Sequence, residues 1–145
     1  RKISKNQEVL EKEFSWIIGV WDSEVEIPGM GTVPIEAKYK WVADKHVIQV
    51  DITFGEWKGL SMIFYDPSDE KIKMWGANSV GGNGQAVLTI NGNELVWTNT
   101  AFESDGRKSV GDFSYIKQAD PQTFVVKFVD EVDNTLKQVT VTKRD

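Results

Sequence analysis

Gly19-Val20-Trp21-Asp22-Ser23-Glu24-Val25-Glu26-Ile27 is where the chain changes its period. Trp21, Ser23, Val25 and Ile27 alternate with Asp22, Glu24 and Glu26. A period of two is the mark of a strand with one buried face. Pro28-Gly29-Met30-Gly31 then supplies a turn. The next run alternates most cleanly of all, with Ile35, Ala37, Tyr39 and Trp41 against Glu36, Lys38 and Lys40.

The same alternation and punctuation continue to the end of the chain. They predict strands at 20–27, 33–42, 46–54, 57–65, 71–78, 85–90, 94–102, 108–118, 123–131 and 136–143. The turns between them are short. Gly55-Glu56 and Asn91-Gly92 are two-residue hairpin signals, and Asp66-Pro67-Ser68-Asp69 is a strong turn. Short connections make neighbouring strands antiparallel. About ten such strands without a helical crossover are expected to close on themselves and so remove their exposed edges.

Upstream of Gly19 the period is helical. A helix is expected over 4–15, capped by Ser4 with Gln7 three residues on. Val9, Leu10 and Phe14 give it an apolar stripe, and Trp16, Ile17 and Ile18 follow as an apolar plug. The helix is expected to cover one end of the barrel. The expected fold is therefore all-β: a closed antiparallel barrel of about ten strands with a short N-terminal helix, one domain over 1–145.

Composition narrows the classes of function. The chain has 145 residues and no cysteine, so disulfides and thiolate chemistry are out. The net charge is −5 with both signs scattered, which argues against nucleic acid. No run approaches the roughly 20 apolar residues of a membrane helix, so no membrane insertion is expected. No signal peptide is visible, and the compartment is left open. Because the chain begins with Arg1, it is expected to be processed or cut from a longer protein. Six tryptophans, seven phenylalanines and three tyrosines supply material for filling a barrel or for lining a pocket.

The segments Phe14, Trp16-Ile17-Ile18-Gly19-Val20-Trp21, Trp41, Gly59-Leu60-Ser61-Met62-Ile63-Phe64-Tyr65-Asp66-Pro67 and Ile72-Lys73-Met74-Trp75 occur in an order that resembles the calycin superfamily. Specifically, the chain is similar to uncharacterised lipocalin-like domains of bacteria, some of which follow a SnoaL-like domain. The resemblance spans nearly the whole chain. It implies a ligand-binding type of barrel in which the tryptophan of Gly-x-Trp, here Trp21, packs at the closed end under a basic residue of the last strand, here Arg144 or Lys143. The later lipocalin motifs are missing, and about ten strands stand where lipocalins have eight.

No catalytic constellation emerges. His46 is the only histidine, so a metal or haem site would have no second strong ligand. A hydrogen-bonded or loop-end role is the better reading, and no cofactor is expected. Asp130, Glu131 and Asp133 lack the alternation of a calcium loop and read as a solvated hairpin end. Gly81-Gly82-Asn83-Gly84 lacks the Lys-Ser/Thr ending of a phosphate loop and reads as a flexible loop at the barrel mouth. No Gly-x-Ser-x-Gly elbow is present.

The leading expectation is a module that buries a small apolar or aromatic molecule in the barrel. Tyr39, Trp41, Met62, Phe64, Met74 and Trp97 are its candidate walls, with Ser23 and Asn99 as polar anchors. Truncation of Trp97 then weakens binding and spares the fold. Two alternatives stay open. One is an interaction or accessory domain with a filled barrel, dimerising through an outward sheet face or the helix; an exposed aromatic patch and no cavity would favour it. The other is a shape-driven enzyme, which needs a polar cavity residue of perturbed pKa.

Overall fold

A computed structural model describes residues 3–130 and 133–145. Its order is α1 (Lys5–Phe14), a 3-10 turn (Ser15–Ile17), then β1 (Gly19–Ile27), β2 (Gly31–Val42), β3 (Val47–Phe54), β4 (Trp57–Asp66) and β5 (Lys71–Asn78). β6 (Asn83–Asn91), β7 (Glu94–Phe102), β8 (Lys108–Lys117), β9 (Thr123–Asp130) and β10 (Thr135–Lys143) follow. Each strand pairs antiparallel with its neighbours in sequence, and β10 returns to β1 to close a ten-stranded barrel. The expected strands match within one or two residues at each end. Asn83 and Gly84, read as loop, begin β6 instead. Glu131, expected at the end of the ninth strand, lies outside the described residues, as does Arg1.

The helix begins as its sequence requires. The Ser4 hydroxyl accepts from the Gln7 amide, and the Gln7 side chain accepts from the Ser4 amide. Leu10 and Phe14 are fully buried, as is Ile17 of the following turn. Phe14 stacks on Trp97 with ring centroids 5.8 Å apart. One end of the barrel is thereby plugged with aromatic rings: Trp16, Trp21 and Phe124 meet edge to face at 4.8–6.2 Å.

Closure depends on a short seam. β1 and β10 pair through Trp21↔Lys143 and Asp22↔Thr142. The two basic residues at the end of β10 divide the labour. Lys143 is the one above Trp21, its ammonium 5.8 Å from the ring. Arg144 instead clamps the seam, with Nε and Nη2 on the Asp22 carboxylate at 2.9 and 2.5 Å and Nη2 on Glu36 at 2.8 Å. Gly19 is favoured here by its φ of +138°, where a side chain is strained; a Cβ would also meet Lys143 Cε at 2.8 Å, near the free end of a side chain that can shift.

Candidate functional site

At the plugged end Trp16, Trp21 and Phe124 pack against one another. In the opposite half of the barrel, between β4 and β8, the interior holds a cavity of about 260 Å³. The cavity exists because small residues occupy inward positions on adjacent strands: Gly59 and Ser61 on β4, Gly76 on β5, Gly84 and Ala86 on β6, and Ala101 on β7. Strand pairing sets them side by side, as in Ser61↔Gly76, Gly76↔Gly84 and Gly84↔Ala101. Met74, Trp57, Ile52, Phe113 and Tyr115 complete the apolar lining. The Trp57 ring folds over Gly59, so close that a Cβ there would lie 2.6 Å from it.

The polar part is sparse. Asn99, Ser61, Asn78 and Asn83 contribute amide and hydroxyl groups. Asn78 is engaged: its Oδ1 accepts from the Val80 and Gly82 amides at 3.1 and 3.0 Å and braces the β5–β6 turn at the mouth. Among the described residues, neither the Ser61 hydroxyl nor the Asn99 amide has a partner. No charged side chain lines the cavity among the described residues. Tyr115 shares a hydroxyl–hydroxyl bond of 3.1 Å with the buried Tyr39. Burial pushes both phenols up, so both are neutral at physiological pH.

The structure sorts the eight residues expected at a ligand site. Met74 and Asn99 line the cavity. Tyr39 lies behind the lining and touches it through Tyr115. Trp97 is fully buried among Phe14, Phe113 and Tyr115, outside the lining. It packs as part of the core, with an indole N–H that has no partner among the described residues. Trp41 packs on the core near α1 and borders a surface hollow with Glu8, Glu11 and Lys45, outside the cavity lining. Ser23 shares the inward face of β1 with Trp21 but lies outside the lining.

Met62 and Phe64 require a correction of facing. Ile63 and Tyr65 are the buried residues of β4, so their neighbours point outward. Met62 is 48% exposed, and Phe64 packs edge to face on the exposed Trp75 at 5.2 Å. With Leu60 they form an apolar strip on the outside of β4 and β5. The residues that sequence reasoning missed are the small ones and those of β8. Their signal is present in Gly59, Ser61, Gly76 and Gly84, small residues at inward parity where a filled barrel would carry bulk.

His46 stands apart from the cavity. Its Nε2 meets the Ser4 hydroxyl at 2.8 Å and its Nδ1 meets the Ala43 carbonyl at 3.0 Å. It ties the left-handed turn Ala43-Asp44-Lys45 to the helix cap. Asp130 and Asp133 both pair with Lys137, at 2.7 and 3.1 Å. Among the described residues no group of three potential ligands could hold a metal, and no helix is long and apolar enough to cross a membrane. The chain matches no protein-family model and no curated protein.

Proposed function

We propose that this chain is a calycin-type binding barrel that holds one small, uncharged, largely apolar or aromatic molecule. The observation that carries the reading is the cavity of about 260 Å³ with an apolar wall and polar side chains, Ser61 and Asn99 among them, that have no partner among the described residues. Apolar walls with a few placed polar groups are what small-molecule sites have in common. The volume lies just below the roughly 300–1,000 Å³ of drug-sized sites, which suits a molecule of one or two rings. Charge is disfavoured, because an ion buried there would lose hydration without gaining a counter-ion.

The enzyme alternative gains little from Tyr115. A phenol whose pKa is raised by burial is held neutral, so it can donate a hydrogen bond but is a poor base at pH 7. The interaction-domain alternative draws on the outer strip Leu60, Met62 and Trp75, which is 43–53% exposed. Native mass spectrometry on protein purified from its own host, before and after denaturing extraction, separates the readings. A bound small molecule lost on extraction supports the binding barrel. A bare chain that runs as a dimer supports the interaction domain.

A further inference from the structure

We infer that the cavity selects an uncharged ring compound carrying a carbonyl oxygen, and that Tyr115 donates the hydrogen bond that recognises it; this rests on the binding reading above. Tyr39 and Tyr115 are 4% and 5% exposed, and each hydroxyl has only the other as partner among the described residues. Two hydroxyls carry two protons, and the bond between them uses one. If Tyr115 donated, the Tyr39 proton would be left in a closed wall with nothing to accept it, which is costly. The reverse polarity leaves the spare proton on Tyr115, which borders the cavity. A hydroxyl that accepts one bond also donates the next more strongly.

A second donor lies close by. Among the described residues the Trp97 indole N–H is buried without a partner, behind the lining, and its ring is 6.0 Å from that of Tyr115. Asn99 and Ser61 can donate or accept, so they complete the recognition of an oxygen without opposing it. An anionic oxygen would satisfy the donors too, but no Lys or Arg among the described residues lines the cavity to offset its desolvation. The Trp57 ring, the Ser61 hydroxyl and the Asn99 side chain lie over Gly59, Gly76 and Gly84, so this wall offers a flat indole and small polar groups, with Phe113 and Tyr115 among the rest of the lining. A flat ring fits such a space better than a branched aliphatic chain.

The test uses three probes of one shape: 1-indanone, indane and indane-5-carboxylate, titrated calorimetrically into the full chain. The expected result is 1-indanone bound about tenfold more tightly than indane, the size of one good hydrogen bond, with the carboxylate weakest. Tyr115→Phe is expected to bring 1-indanone down to the affinity of indane and to leave indane unchanged. Tyr39→Phe is expected to cost a smaller factor, because Tyr115 keeps its proton but loses its reinforcement. Near-UV circular dichroism checks that each variant folds; if Tyr115→Phe does not, the wild-type ratio decides. Equal binding of 1-indanone and indane, or tightest binding of the carboxylate, overturns the inference and leaves the binding reading standing. Absence of binding by all three probes overturns both.

Discussion

Replacing Gly76 by alanine adds one methyl group at the wall of the cavity, and the geometry fixes what that methyl meets. A Cβ built there collides with the Ser61 hydroxyl and lies 2.7 Å from the Leu60 carbonyl oxygen. The hydroxyl can rotate away. The carbonyl cannot, because Leu60 belongs to the β4 ladder beside β5. Overpacking of this kind costs about 1–3 kcal/mol, and alanine returns about 0.5–1 kcal/mol of backbone entropy. The net expectation is a loss of about 1–2 kcal/mol, or a fall of roughly 0.5–1 M in the urea midpoint for a chain of this size. Gly84→Ala is the internal comparison. Its Cβ would meet Asn99 Oδ1 at 3.0 Å, the free end of a side chain that can turn aside. That variant is expected to stay within about 0.5 kcal/mol of wild type, as for a substitution that meets no fixed neighbour, while weakening any ligand held by Asn99. Urea unfolding followed by tryptophan fluorescence reads both. Equal midpoints for the two variants would refute the claim that backbone closeness, rather than mere loss of space, governs this wall.

Three further outcomes follow from other parts of the molecule. Hydrogen bonds from Lys73 and Ser68 hold the Asp66 carboxyl down to about 2, from an ordinary value of 3.8; a depressed acid stabilises the fold above its unfolded pKa and stops doing so as pH falls through its folded one. Urea midpoints between pH 5 and pH 2 are therefore expected to decline less steeply in Asp66→Asn than in wild type, and parallel curves would contradict this. Ser4→Ala removes the helix cap and the partner of His46, and is expected to cost about 1 kcal/mol, seen as a lower melting temperature; an unchanged one would mean that α1 docks without its cap. Trp97→Ala empties a fully buried site and is expected to cost about 3–5 kcal/mol, so that loss of near-UV dichroism, rather than selective loss of binding, is the sign to look for.

The barrel was legible because its signals are local and repeated. Asn91-Gly92 and Asp66-Pro67-Ser68-Asp69 punctuate the strands, and Ile35, Ala37, Tyr39 and Trp41 alternate against charge. The helix start was legible for the same reason, since Ser4 and Gln7 carry the cap themselves. The cavity was harder to read because it is made by what side chains lack. On β4 the large apolar residues Leu60, Met62 and Phe64 lie outside, while Gly59 and Ser61 lie inside. Hydrophobicity by itself therefore points to the wrong face, and a slip of one residue inverts every assignment. The depth at which Trp97 sits was hard to read for a different reason. Inward parity tells a strand residue that it faces the interior, but whether that depth is plugged or hollow depends on Phe14, which arrives from a distant helix.

The most direct test of the central claim, an interior site in the half of the barrel away from α1, uses the three methionines as reporters. Met74 lines the cavity, Met62 is 48% exposed on the outer strip, and Met30 is 72% exposed in the β1–β2 turn. The protein is labelled with ¹³C-methyl methionine and titrated with 1-indanone, and the three methyl resonances are followed by NMR. A saturable shift of Met74 alone is the predicted result. A shift of Met62 with Met74 unmoved would place binding on the outer face and contradict the account, and a titration that moves none of the three would contradict it equally.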